Sequence, residues 1–185
     1  YKGITSLRNY LFDNNFLKST EFDIPTIVVG NLSVGGTGKT PQIEYLIRLL
    51  NEKYKVAVLS RGYKRKSTGF VIANNNSNAE IIGDEPYQYF QKFKNITVSV
   101  DADRVHGVQQ ILNNKPKTEV ILLDDAFQHR KIKGGLNILL TSFGNLYSED
   151  YLLPSGNLRE SSTGAKRAQI IIVTKCPEKI TKKQQ

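Results

Sequence analysis

The chain has 185 residues, 39% hydrophobic and 23% charged, which excludes a disordered polymer and gives room for one well-buried domain with little left for a second. A lone cysteine, Cys176, excludes an internal disulfide framework and reads as a packed thiol in a reducing compartment; no run approaches the ~18 apolar residues of a membrane span, and no segment has the pattern of a secretory signal. The net charge of +9 favours polyanionic partners, but the basic residues are dispersed without the aromatic interleaving that stacks single strands, so a phosphate ligand ranks ahead of nucleic acid.

The first segment, Ile4 to Leu17, places Ile4, Leu7, Leu11 and Phe12 at helical spacing. Two readings stand open: a helix packed on its own domain, or an amphipathic helix (residues 1–20) whose apolar face enters a membrane surface. Because the sequence contains no methionine, the chain reads as a fragment of something longer. Beyond residue 20, continuous apolar runs predict strands at Ile24–Val29, Val56–Leu59, Ile96–Val100, Val120–Leu123, Ile138–Leu140 and Ile170–Val173. Their unbroken apolarity implies burial on both faces, as in a parallel sheet. Helical patterns over Thr40–Lys53, Asp84–Phe93 and Asp103–Asn113 alternate with them. The expectation is a three-layer α/β domain of the P-loop type over residues 21–185, with Asn74 to Asn78 a polar loop.

The strongest chemical signal is Gly30-Asn31-Leu32-Ser33-Val34-Gly35-Gly36-Thr37-Gly38-Lys39-Thr40, which follows a strand and opens a helix. Glycines let backbone N–H groups wrap a β-phosphate, and the helix adds its positive end. Ser33 to Thr40 would then cradle ATP, with Lys39 bridging its phosphates and the Thr40 hydroxyl on Mg²⁺. Ser33 stands where the strict pattern has glycine. The same loop resembles the partitioning-type switch ATPases, but those carry a lysine where this chain has Val34.

Val120-Ile121-Leu122-Leu123-Asp124-Asp125 ends an apolar strand in two carboxylates, one suited to hold a metal and the other to orient a water or a cation. Ala126-Phe127-Gln128-His129-Arg130 then clusters an amide, an imidazole and a guanidinium beside them, whereas His106, on a helix, reads as structural. In Gly83-Asp84-Glu85-Pro86, the carboxylate of Asp84 suits either a helix cap or a general base. Ser60, Arg61 and Arg104 follow strand ends, where ligands bind. Arg159 and Glu160 form either a local ion pair or part of a site. Thr174-Lys175 lacks the following acid that reads guanine, since Pro177 is there, so adenine is favoured.

In order, Gly30 to Pro41, Ser60-Arg61-Gly62-Tyr63, Gly83-Asp84-Glu85-Pro86, Asp124 to His129 and Leu152-Leu153-Pro154-Ser155-Gly156-Asn157-Leu158-Arg159-Glu160 resemble the successive motifs of the tetraacyldisaccharide 4′-kinases. In that family a serine or threonine at the position of Ser33 is usual. The resemblance implies transfer of the ATP γ-phosphate to the 4′-hydroxyl of a tetraacyl glucosamine disaccharide 1-phosphate, giving lipid IVA. It places this chemistry at the cytoplasmic face of the inner membrane of Gram-negative bacteria; the net positive charge and the Ile4, Leu7, Leu11 stripe suit an anionic lipid surface there, and no obligate protein partner is expected. It further implies Asp84 as the base, Arg104, Asp125 and His129 as catalytic, Gln128 at the nucleotide, and Thr40, Asp124, Asp125 and Glu160 around Mg²⁺. Members continue into a C-terminal portion that completes the acceptor site and supplies a histidine to pair with the base.

Overall fold

In the computed structural model, which describes residues 2–179, seven strands form one sheet in the order β3-β4-β2-β5-β1-β6-β7. The strands are β1 (Thr26–Asn31), β2 (Val56–Ser60), β3 (Val71–Ile72), β4 (Thr97–Val100), β5 (Val120–Asp124), β6 (Leu136–Ser142) and β7 (Ile170–Thr174). All pair in parallel except β3, which runs antiparallel to β4. The helices are α1 (Lys2–Asp13), α2 (Lys39–Leu50), α3 (Ala79–Ile82), α4 (Asp84–Lys92) and α5 (Arg104–Asn114), with a 3₁₀ turn at Ser162–Arg167.

Strand periodicity divides the core into two layers. Val28, Ala57, Leu59, Ile121 and Leu123 face one side and pack with Val108 and Ile111 of α5. Their neighbours Val29, Val56, Val58, Val120 and Leu122 face the other and pack with Ile43, Leu46 and Ile47 of α2 and Tyr89 of α4. Each such Val, Leu or Ile side chain, fully buried, contributes about 1.5–3 kcal/mol. The unbroken apolar runs are therefore explained for the central strands. They mislead for β7, an edge strand with Ile170, Ile171 and Val173 each more than 40% exposed, because no described helix covers it. Cys176, expected to be packed, lies just beyond that edge and is exposed.

The chain leaves β1 for β2, leaving a gap that β5 later fills, so β1 lies between β5 and β6. The register sets Val29 of β1 beside Asp124 of β5. The two sequence signals, 90 residues apart, are thereby brought to adjacent strand ends, at the carboxyl edge where open α/β sheets bind ligands. The predicted strands are found with ends shifted by one or two residues. Pro25 lacks an N–H, so β1 begins after it and continues through Gly30 and Asn31.

α1 is docked on this edge by its polar side. Asn9 Nδ2 donates to Glu160 Oε2 at 2.9 Å, Arg8 donates to the Gln128 carbonyl at 3.1 Å, and Arg130 donates to the Asn9 carbonyl and to Asp13. Phe12 is buried beneath the Arg8 and Arg130 guanidinium groups. Ile4 and Leu7 point the other way and are 77% and 60% exposed. The helix thus packs on its domain and still presents an apolar face outward. Among the described residues no helix is long and apolar enough to cross a membrane.

Candidate active site

The phosphate loop connects β1 to α2. Its glycines are required where the backbone turns: Gly35 and Gly38 have φ of 108° and 84°, a region L side chains rarely adopt. Gly38 then serves as the N-cap of α2 without a side-chain cap, so the first N–H groups of the helix point into the loop. Ser33 and Thr37 are buried while Val34, Gly35 and Gly36 are exposed, and the Thr37 hydroxyl has no partner among the described residues. The last strand braces the loop from outside, because Thr174 Oγ1 donates to the Thr37 carbonyl at 2.9 Å.

In front of the loop lies a cleft of about 400 Å³ walled by Val34, Lys39, Arg61, Tyr63, Glu85, Asp124, Asp125 and Arg159 among others. Lys39 Nζ reaches Asn31 Oδ1 at 3.2 Å and Asp125 Oδ1 at 3.5 Å. Arg159 donates to the same two residues, at 2.6 Å to Asn31 and 3.3 Å to Asp125, and its Nε donates to the Ser33 carbonyl. Asp125 adopts φ of 46°, an uncommon conformation for a residue with a side chain. Desolvation pushes its proton affinity upward, but the Lys39 and Arg159 charges outweigh that and hold it below the usual carboxylate range.

Asp124 is in a different environment. It is 2% exposed, and its Oδ2 accepts from Ser60 Oγ at 2.7 Å and from the Tyr89 hydroxyl at 3.2 Å. Burial, with the nearby Glu85 and Asp125 charges adding to it against the Ser60 hydrogen bond, pushes Asp124 up to about 6. Its Oδ1 is buried and has no partner among the described residues. Such an oxygen is costly unless something fills the position. In the first turn of α2, the Thr40 hydroxyl donates to Glu85 Oε1 at 2.8 Å. No group of three His, Cys, Asp or Glu converges as a complete metal cage among the described residues. Two oxygen donors and an orphaned carboxylate oxygen fit a Mg²⁺ ion that takes its remaining ligands from water and phosphate.

Asp84 is the first residue of α4, not its cap; Gly83 fills that position, and the Asp84 carboxylate makes no hydrogen bond among the described residues. It opens on a small cavity whose other walls, Tyr63, Glu85 and Pro86, also wall the cleft. Of the expected residues, the cleft therefore gathers Val34, Gly35, Lys39, Ser60, Arg61, Asp124, Asp125 and Arg159, with Thr40 hydrogen-bonded to Glu85 and Asp84 at the rim.

Four others are placed behind it. Arg104 is buried and donates to the backbone carbonyls of Asp101, Ala102, Asp124 and Asp125, bracing the loop that carries both acids. Desolvation, only partly offset by Asp124 and Asp125, brings it down to about 10. His129 Nε2 accepts from the Arg104 amide at 3.4 Å and faces a separate 190 Å³ cavity; burial and then the Arg104 charge bring it down to about 4. Gln128 Nε2 donates to the Asn31 carbonyl at 2.7 Å and to Glu160 Oε1 at 3.1 Å. Glu160, expected at the metal, is buried and engaged by Gln128, Arg167 and Asn9 rather than facing the cleft.

Glu85, Asn31 and Tyr89 were not singled out from sequence. A hint for Glu85 was its place beside Asp84 in the Gly-Asp-Glu-Pro turn; for Asn31, its place just after the strand. His106, read as structural, is exposed but held by Asp101, with Nδ1 2.7 Å from Oδ2.

A family model described as LpxK, tetraacyldisaccharide-1-P 4′-kinase, matches residues 1–185. A tetraacyldisaccharide 4′-kinase of Flavobacterium johnsoniae is 64% identical over 185 residues, covering 100% of this chain and 54% of the relative. One from Bacteroides thetaiotaomicron is 59% identical over 181 residues, covering 97% of this chain and 48% of the relative. Among solved structures, the apo form of LpxK from Aquifex aeolicus in complex with ATP superposes with a TM-score of 0.87 at 42% identity, covering 98% of this chain and 59% of that one. The chain spans about half the length of the curated relatives it matches. With every residue of the chain inside the family match, the phosphate loop and the two acids at adjacent strand ends have their explanation: the chain belongs to the tetraacyldisaccharide-1-P 4′-kinase family.

Proposed function

We propose that the protein to which this chain belongs transfers the γ-phosphate of ATP to the 4′-hydroxyl of a tetraacyl glucosamine disaccharide 1-phosphate. The observation that carries this reading is the convergence of Lys39, Asp124 and Asp125 on one cleft in front of a glycine-turned phosphate loop. ATP fits that loop, and a relative of this fold is described in complex with ATP.

Phosphoryl transfer depends on positioning and charge neutralisation more than on covalent chemistry by the protein. Lys39 would exchange its contacts with Asn31 and Asp125 for the β- and γ-phosphate oxygens. Arg159, tied to the same two acceptors, stands ready to follow it. Thr40 and Asp124 would hold Mg²⁺, with Asp125 reaching it through water; the ion when bound supplies charge neutralisation at the phosphates. Asp84, unbonded at the rim, is suited to take the proton of the acceptor hydroxyl. Arg104, Gln128, His129 and Glu160 contribute by holding the acid-bearing loop and the end of β1 in place.

The acceptor's acyl chains remain in a bilayer, so the site must approach a lipid surface. The outward Ile4 and Leu7 of α1 suit that approach, as does the net charge of +9 on an anionic leaflet. Residues 1–20 would then act as a surface-seeking segment of a nucleotide-binding unit comprising residues 21–185.

A switch ATPase of the partitioning type would use a lysine where Val34 stands exposed at the loop. The two readings separate by sizing the full-length protein with and without ATP and measuring ATP turnover with and without the disaccharide lipid. Turnover that requires the lipid, with no ATP-driven dimer, is expected; ATP-driven dimerisation with no lipid acceptor would reverse the assignment.

A further inference from the structure

The inner face of α4 carries a tyrosine that belongs to none of the phosphate-site motifs. Tyr89 lies one helical turn beyond Glu85 and is 0% exposed. A buried tyrosine needs a partner for its hydroxyl, and any nearby carbonyl would serve a purely structural role. Here the partner is Asp124: the hydroxyl donates to Oδ2 at 3.2 Å, beside the Ser60 hydroxyl at 2.7 Å. The Thr40 hydroxyl, by contrast, donates to Glu85 Oε1 at 2.8 Å, on the same helix as Tyr89. One neutral group thus engages the buried carboxylate suited to Mg²⁺.

The asymmetry at Asp124 is informative. An ionised carboxylate has about four lone-pair sites on two oxygens. Two hydroxyls fill one oxygen, and the other is equally buried with no partner among the described residues. Because both donors are uncharged, they fix the rotation of the carboxylate without neutralising it. α4 is itself held firmly: buried Glu44 of α2 accepts from Gln88 at 2.8 Å and from Lys92 at 2.5 Å, so the helix bearing Asp84, Glu85 and Tyr89 is locked to the helix that begins at Lys39.

We propose that Tyr89 is a positioning residue for the divalent cation: with Ser60 it saturates Asp124 Oδ2, aims Oδ1 at the ion beside Thr40, and ties the metal carboxylate to the helix that carries Asp84. The proposal rests on the cleft reading given above. Partners that orient a metal ligand typically change metal affinity by about 10–100-fold when removed.

The test uses the full-length protein and Tyr89→Phe, which keeps the ring and removes one hydroxyl. ATP binding is titrated calorimetrically with Mg²⁺ and with EDTA, and Mn²⁺ uptake in the presence of ATP is followed by electron paramagnetic resonance. Metal-free ATP affinity should stay within about twofold, while the half-saturating cation concentration rises about tenfold or more. Turnover should fall at low Mg²⁺ and recover at high Mg²⁺. A folded Tyr89→Phe protein with unchanged cation dependence would overturn the proposal, as would an equal loss of metal-free ATP binding. If Tyr89→Phe does not fold, Ser60→Ala decides: a comparable cation shift supports the two-hydroxyl arrangement, and none overturns it. Absence of any cation effect on ATP binding in the unaltered protein would overturn the cleft reading and this proposal together, whereas a null result confined to the variants touches Tyr89 and Ser60 alone.

Discussion

Gly30 is the point at which the two halves of the site press on each other. A Cβ added there would lie 2.5 Å from Phe127 Cβ and 3.1 Å from the Phe127 amide nitrogen. Carbon atoms rest about 3.5–4.0 Å apart, so the shortfall is about 1 Å. Phe127 cannot yield by rotating its ring, because the nearest contact is its own Cβ. Its backbone is held as well: the Ala126 amide donates to Val29, Arg167 donates to the Phe127 carbonyl and covers the ring, and Arg104 grips the carbonyls of Asp124 and Asp125. Relief in Gly30→Ala must therefore displace the loop bearing both acids. Overpacking of this kind costs about 1–3 kcal/mol, and each kcal/mol lowers Tm by about 2–4 °C at this chain length and by less in a protein about twice as long. Misplacing the acids by about 1 Å should also reduce turnover by on the order of 100-fold. Thermal denaturation and steady-state turnover of the full-length protein measure both effects. Gly144→Ala, which meets nothing within 4 Å, is the control. A Gly30→Ala protein with the melting temperature and turnover of the parent would refute the reasoning.

Asp124→Asn or Asp125→Asn should weaken Mg²⁺-dependent turnover by at least tenfold while sparing ATP binding measured in EDTA; equal losses in both assays would reduce the acids to loop structure. Replacing the exposed Ile4 and Leu7 by Asp should lower binding to anionic vesicles severalfold without changing ATP affinity or Tm, whereas unfolding would mean that these side chains belong to the core. His129 is held near 4 in the folded chain against 6.5 as its ordinary value, so the proton favours the unfolded state. Its contribution to stability is complete above pH 6.5 and is lost as the pH falls from 6.5 towards 4. Melting temperatures of the parent protein and His129→Gln should accordingly converge over that window; parallel curves would contradict the assignment.

The phosphate loop was legible because its chemistry is local: spacing, glycines and the strand before it all lie within a dozen residues. The same holds for the apolar strand ending in Asp124 and Asp125. What sequence could not supply was the insertion of β5 between β2 and β1, and hence which distant side chains meet. Arg159 contacts Asn31 and Asp125 across more than 30 residues in each case, and Tyr89 reaches Asp124 across 35. No periodicity encodes such contacts. Gln128, His129, Arg104 and Glu160 form a cluster near the acids, but only the structure separates residues that face the cleft from those that brace its back. For α1 the helical spacing of Ile4 and Leu7 identified an apolar face, yet which face docks was set by Asn9, Arg8 and Phe12 meeting Glu160, Gln128 and Arg130. β7 shows the opposite failure: its apolar run resembles a central strand, and only its place at the end of the sheet order makes it an edge.

Label transfer tests the central claim most directly. The full-length protein is incubated with Mg²⁺, γ-labelled ATP and a tetraacyl disaccharide 1-phosphate in mixed micelles, in parallel with Lys39→Ala, and the lipid is extracted into organic solvent. Label should appear in the lipid as a 4′-phosphate with the unaltered protein, and fall by at least 100-fold with a folded Lys39→Ala protein, whose lysine no longer bridges the phosphates. Lipid free of label despite ATP consumption, or undiminished transfer by Lys39→Ala, would contradict the account.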